Sequence, residues 1–271
     1  MQHLKRWLTA IILGPLVLWI LFKGNMYLLA SLVSAVAIFS VREYLRIIFG
    51  NDEGPISQTI KGISYGISIA LVIGATLGSW QVMFLTLALD LVLMAIFVLA
   101  RFSSYDKVFD AIARQVLGML YIPASLACLI FIREMEQGTL WILWLLIVIF
   151  ANDTGAFYSG TFFGKRKLAP NISPNKTIEG SMGGVSAATV LGLVFSMIFF
   201  NDVITSLVMI PCSFILALAG QVGDLFESAM KRASDIKDSG RILPGHGGML
   251  DRIDGLLLAV PILYTYLVFT L

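Results

Sequence analysis

The chain has 271 residues, 58% of them hydrophobic and only 13% charged, with a mean hydropathy of +0.88 and a formal net charge of +2. That apolar excess excludes an ordinary soluble domain; the net charge by itself is uninformative, and no nucleic acid is expected as a partner. Two cysteines, Cys128 and Cys212, supply neither a disulfide framework nor a metal spacing, and both are expected to be packing residues inside apolar spans.

A helix needs about 20 apolar residues to cross the hydrocarbon core, and the apolar runs show none of the two-residue alternation of a closed barrel. In chain order, nine spans are expected, at about 7–22, 26–48, 62–79, 81–100, 112–132, 139–158, 180–200, 203–223 and 252–270. His3, Lys5 and Arg6 precede the first, but no small-x-small cleavage site follows it, so it reads as an uncleaved anchor. The stretch 50–61, with Asn51-Asp52-Glu53-Gly54-Pro55, reads as a turn-rich connector. Asp90, inside the fourth span, stands apart from every other polar motif and is expected to pair with a neighbouring helix or subunit. With the N-terminus in the cytoplasm, all of the 19 Lys and Arg residues except Lys23 and Arg133 fall at cytoplasmic ends. The expectation is therefore an all-α integral membrane protein, polytopic, with about nine transmembrane helices and a cytoplasmic N-terminus. Residues 1–135 would hold about five spans. Residues 136–271 would hold about four and carry an active site on the cytoplasmic face. No internal repeat suggests a secondary transporter.

The polar residues of the second half gather in two places. In the first, Asn152-Asp153-Thr154-Gly155-Ala156 ends the sixth span, followed by Gly164-Lys165-Arg166-Lys167 and Ser173-Pro174-Asn175-Lys176-Thr177-Ile178-Glu179-Gly180. Lys176 and Thr177 at a helix start suit phosphate binding through side chains and free N–H groups; Asn175 or Thr177 serves equally as a simple cap. Glu179 is either a first-turn dipole partner or a site residue. No G-x4-G-K-[ST] is present, which excludes a P-loop.

In the second place, Asp224 lies at the cytoplasmic end of the eighth span, while Asp251 and Asp254 open the ninth on one helical face. Carboxylates at a helix start are favoured by the dipole alone, but three near phosphate oxygens also suit Mg²⁺, which uses few protein carboxylates. Between them lie Ser228, Lys231, Arg232, Lys237, Asp238 and Arg241, cations that either neutralise phosphates or form a solvated patch. Pro244-Gly245-His246-Gly247-Gly248 lets backbone N–H groups approach an anion. His246 there can orient a phosphate or protonate a leaving group; the plainer reading is a turn into the ninth helix.

Ser228-x-x-Lys231-Arg232, Lys237-Asp238 and Pro244-x-His246-Gly247-Gly248-x-x-Asp251-Arg252-x-Asp254 together resemble the signature of the phosphatidate cytidylyltransferases, or CDP-diacylglycerol synthases. Asn152-Asp153-Thr154-Gly155-Ala156, Phe163-Gly164-Lys165, Ser173-Pro174-Asn175-Lys176-Thr177-x-Glu179-Gly180 and Arg42-Glu43-Tyr44 resemble other blocks of that family. The match covers about 150–255. It implies transfer of CMP from CTP to phosphatidic acid, giving CDP-diacylglycerol and pyrophosphate. It also implies a multi-pass protein of a bacterial-type inner (cell) membrane, with its site facing the cytoplasm, and a homodimer. On this resemblance Asp224 and Asp251 would hold Mg²⁺, with room for a second cation. His246, Lys237, Asp238 and Asp254 would be catalytic. Asn152, Asp153, Lys176, Thr177, Glu179, Ser228, Lys231, Arg232, Gly247, Gly248 and Arg252 would bind substrate. Phosphatidate brings its own anionic nucleophile, so positioning and charge neutralisation matter more than a strong base. Rival readings are a CTP-dependent lipid kinase of the dolichol kinase type, which moves the γ-phosphoryl group, and a CDP-alcohol phosphotransferase, whose motif Asp251-x-x-Asp254-Gly255 imitates only at its start. A transporter would spread its charges through the spans instead.

Overall fold

The computed structural model describes residues 2–50, 54–101, 108–200, 203–236, 239–240 and 247–270. Among these, eight helices are long and apolar enough to cross a membrane, and a shorter apolar helix covers Leu13–Lys23. The chain is an all-α polytopic membrane protein. Two compact units divide it: Met1–Glu134 with Ser234–Arg252, and Met135–Ala233 with Ile253–Leu271.

The first unit begins with α1 (Gln2–Lys23) and α2 (Met26–Phe49). Asn25 starts α2 by accepting the Leu28 N–H at 2.9 Å, and Gly50, with φ 59°, ends it. Helix α3 (Pro55–Thr76) starts well before the expected residue 62, because Pro55 occupies the first turn. Proline lacks the N–H that is unpaired there in any case, so a residue that looks like a loop marker opens the helix instead. After α4 (Trp80–Arg101), helices α5 (Val108–Met119) and α6 (Ser125–Glu134) form one span through a π turn at Leu120–Ala124. Pro123 lies in that turn, where a missing donor disrupts the regular ladder.

Three buried polar residues of this unit, Asp90, Gln115 and Ser64, are paired between helices. Asp90 on α4 is 1% exposed and accepts from Gln115 Nε2 on α5 at 3.1 Å. The same amide nitrogen donates to Ser64 Oγ on α3 at 3.2 Å. Asp90 therefore has its partner on a neighbouring helix. Cys128 and Cys212 are both buried, as packing residues should be.

The second unit contains α7 (Gly138–Phe163), a small antiparallel hairpin of β1 (Lys167–Ala169) and β2 (Ser173–Thr177), α8 (Ile178–Phe199), α9 (Val203–Ala233) and most of α10 (Leu250–Thr270). Lipid offers no hydrophobic drive between helices, so close contact of small residues has to supply it. The seam of α7 and α8 is built that way. A Cβ at Gly184 would come 2.6 Å from the Asn152 carbonyl, and one at Gly155 would come 2.9 Å from the Gly183 carbonyl. Trp144 Nε1–H crosses the same seam to the Gly192 carbonyl at 2.9 Å. Helix α9 runs on to Ala233, so Ser228, Lys231 and Arg232, expected in a loop, stand on helical turns.

Gly184→Val is expected to force the two backbones apart and destabilise the protein by about 1–3 kcal/mol, the usual cost of overpacking. Thermal unfolding in detergent checks this, and an unchanged midpoint would contradict the close seam.

Candidate active site

The hairpin and the facing ends of α7, α8 and α9 enclose a cavity of about 580 Å³ in the second unit. Asn152, Asp153, Lys176, Thr177, Ser181, Gln221 and Asp224 line it, together with the apolar Phe157 and Leu225. Its polar wall is held by side-chain amides. Gln221 Nε2 donates to Asn152 Oδ1 at 2.8 Å and to the Ser181 carbonyl at 3.0 Å. Ser181 Oγ donates back to Gln221 Oε1. Asn152, fully buried, donates through Nδ2 to the Ala217 carbonyl at 3.3 Å. Three helices are thus fixed to one another where the cavity opens, and buried amides that share their partners in this way define one arrangement.

Lys176 Nζ meets Asp224 Oδ2 at 2.5 Å, with the two side chains 27% and 35% exposed. Partial exposure leaves this pair open to exchange with a bound anion. Ser228, one turn beyond Asp224, places its hydroxyl 3.5 Å from Asp224 Oδ1. Asp254 lies within electrostatic reach of Asp224, Asp153 and Lys231, and its Oδ1 accepts the Gly255 N–H at 2.8 Å. Lys231 is paired with the fully buried Glu227 at 2.5 Å. Arg232 Nε donates to the Ile172 carbonyl at 3.3 Å, on the hairpin side.

Thr177 caps α8, accepting the Gly180 N–H at 3.1 Å, and the Ile178 N–H goes to the Arg166 carbonyl at 2.9 Å. The Thr177 hydroxyl thus caps α8 while the residue also lines the cavity, and Lys176 brings positive charge to this point. Glu179 faces the hairpin: Oε2 accepts the Lys165 and Arg166 N–H groups at 3.0 and 3.1 Å, and Oε1 accepts Arg166 Nε at 3.0 Å.

Among the described residues, four expected site residues, Gly247, Gly248, Asp251 and Arg252, belong to the first unit. Gly247 has φ 84°, a conformation that glycine adopts without strain. The Gly248 N–H goes to Asp251 Oδ2 at 2.9 Å. Arg252 is exposed. Lys237, Asp238 and His246 lie outside the described residues.

Gln221 and Ser181 were not singled out by sequence. The available signal was spacing: Gln221 stands three residues before Asp224 on one helical face, an uncharged amide easily passed over beside a carboxylate.

Among the described residues, no group of three or more His, Cys, Asp or Glu side chains forms a metal-holding cluster. Mg²⁺ does not need one, since it binds through one or two carboxylates plus substrate phosphates and water. The half-exposed Asp224, beside an ammonium that attracts phosphate, fits a cation of that kind and does not make an all-protein cage.

The family model described as "Cytidylyltransferase family" matches residues 4–270. The chain belongs to the cytidylyltransferase family. It is 35% identical over 271 residues to the phosphatidate cytidylyltransferase of Staphylococcus aureus (strain COL), covering 97% of this chain and 98% of that one. Its identity to the Staphylococcus epidermidis protein of the same name is 35% over 275 residues, 98% and 99% of the two chains. The Bacillus subtilis (strain 168) phosphatidate cytidylyltransferase is 41% identical over 180 residues, 65% of this chain and 66% of its own.

Glu179→Ala should free the hairpin while leaving the helices in place. The Lys165 and Arg166 N–H groups and the Arg166 guanidinium then lose their shared acceptor, so trypsin should cut at 165–167 roughly tenfold faster. An unchanged cleavage rate would show that Glu179 does not hold the hairpin.

Proposed function

We propose that this chain transfers the cytidylyl group of CTP to phosphatidic acid, releasing pyrophosphate and forming CDP-diacylglycerol, at the cytoplasmic face of a bacterial inner membrane. The cavity with the Lys176–Asp224 pair at its wall carries this reading, taken with family membership over nearly the whole chain. A phosphate oxygen of phosphatidate attacks the α-phosphorus of CTP, and the bond from that phosphorus to the oxygen bridging to the β-phosphate breaks. Pyrophosphate leaves with the electron pair. The nucleophile is already an anion, so the barrier is repulsion between phosphates and charge growth on the leaving group.

Lys176 supplies the first answer to that repulsion. Its ammonium is oriented by Asp224 and exposed enough for a phosphate to compete for it. Asp224 would hold Mg²⁺, which when bound neutralises phosphate charge; Asp251, at the start of α10, is expected from its motif to serve the same reaction. Asn152, Ser181 and Gln221 keep the wall in register, and Phe157 and Leu225 give one side of the cavity an apolar surface. The N-terminus is cytoplasmic on this reading, because the Lys and Arg residues gather at the span ends on that side.

Purified protein in mixed micelles should release pyrophosphate only when CTP and phosphatidic acid are both present. Asp224→Asn, which preserves shape, should lower that rate on the order of 10²-fold or more, as for loss of a group that stabilises transition-state charge, while the protein stays monodisperse. Release from CTP without phosphatidic acid, or an active Asp224→Asn, would contradict the assignment.

A further inference from the structure

The first unit contains a buried carboxylate that the reaction above does not use. Glu43, on α2, is 3% exposed. Its Oε2 accepts two hydrogen bonds from chain segments far away in sequence: Ser239 Oγ–H at 3.1 Å and the Leu250 N–H at 2.9 Å. Among the described residues its Oε1 has no hydrogen-bond partner. The backbone is packed around the carboxylate. A Cβ at Gly240 would come 2.6 Å from Glu43 Cδ, and one at Gly248 would come 2.5 Å from Oε2. Residues 239–240 and 247–250 therefore meet on a single side chain.

Burying a carboxylate is expensive unless it is hydrogen-bonded, and here the bonds it makes are directed at a turn. Leu250 is the first residue of α10. Its N–H is one of the first-turn donors that a helix cannot satisfy itself, and a negative charge there is favoured by the helix dipole. The Gly248 N–H, two residues earlier, is bonded to Asp251 Oδ2 at 2.9 Å. Fixing Leu250 and the Gly248 backbone consequently fixes the direction in which Asp251 points. The base of the clamp is itself pinned, because Tyr44 Oη donates to the Arg114 carbonyl at 2.8 Å on α5.

We propose that Glu43 is a positioning residue: it clamps the turn 247–250 and the start of α10 to α2, and so aims Asp251, without touching substrate. The link from Asp251 to turnover rests on the function proposed above; the clamp itself does not.

The clamp needs an acceptor at Oε2, not a net charge. Glu43→Gln can place its carbonyl oxygen on both donors, whereas Glu43→Ala leaves them buried and unbonded. Ser239→Ala removes one donor only and guards against a Glu43→Ala protein that does not fold.

Two readouts are taken on the full-length protein. Hydrogen exchange at the Leu250 and Gly248 amides should be at least about tenfold faster in Glu43→Ala, intermediate in Ser239→Ala and near wild type in Glu43→Gln, with α7 and α8 unchanged. Turnover of CTP with phosphatidic acid should show kcat about 10²-fold lower in Glu43→Ala, the scale of a group misplaced by about 1 Å. The KM for CTP should stay within about twofold, and Glu43→Gln should restore most of kcat. If the Glu43→Ala protein does not fold, Ser239→Ala and Glu43→Gln decide alone.

Unchanged exchange in Ser239→Ala and Glu43→Ala would overturn the clamp. Faster exchange with wild-type kcat would overturn its connection to the site. A Glu43→Gln protein as impaired as Glu43→Ala would show that charge is required and would overturn the hydrogen-bond account. A wild-type protein without cytidylyl transfer would overturn the proposed function instead, and the exchange readout would still decide the clamp.

Discussion

The close approach of α7 and α8 is the contact on which the second unit depends. Two helices in lipid gain little by hiding apolar side chains from one another, because the acyl chains are equally apolar. What they gain comes from backbone proximity, and Gly155, Gly183 and Gly184 allow it. Once the seam is that tight, Asn152 is covered and its amide has to find partners inside the protein. It finds them in Gln221 and the Ala217 carbonyl on α9. The packing of small residues and the amide network are thus one construction. The cavity lies beside them, lined by residues of α7, the hairpin, α8 and α9.

Three buried polar groupings illustrate three uses of polarity in a membrane protein. Asp90, Gln115 and Ser64 tie spans together inside the first unit. Asn152, Ser181 and Gln221 tie spans together and also face a cavity. Glu43 holds a turn and a helix start. In each, hydrogen bonds offset part of the cost of removing polar atoms from water, although Gln115 Oε1 and Glu43 Oε1 have no hydrogen-bond partner among the described residues. They differ in what stands next to them: among the described residues, only the second has a partly exposed ion pair, Lys176–Asp224, within the same cavity. Exchangeable charge beside a fixed amide wall is what an anionic substrate requires.

Hydropathy made the spans legible, since about 20 apolar residues in a row have few alternatives. Their limits were less so. Pro55 reads as a turn residue in sequence but opens α3, because the first helical position tolerates a missing N–H. The run 228–233 reads as a charged loop but continues α9, because Lys and Arg carry good helix propensity and solvated heads. The hairpin is too short to show a strand period. In the site, charge is the visible signal: Asp153, Lys176 and Asp224 stand out, Asn152 with them as the neighbour of a carboxylate, and all four share a cavity. Gln221 and Ser181 do not stand out, since neutral residues in apolar helices look like packing until their partners are seen. Glu43 was noticed only as part of a resembling block. Its partners lie some 200 positions away, and no local pattern points to them.

The central claim is transfer of the cytidylyl group to a phosphorylated lipid, and the position of the label decides it most directly. Purified protein would be given phosphatidic acid, Mg²⁺ and CTP labelled at either the α- or the γ-phosphate. Label in the lipid product from α-labelled CTP alone, with γ-label leaving as pyrophosphate, is the result predicted. Label entering lipid from the γ-phosphate alone would make the chain a lipid kinase and contradict the account.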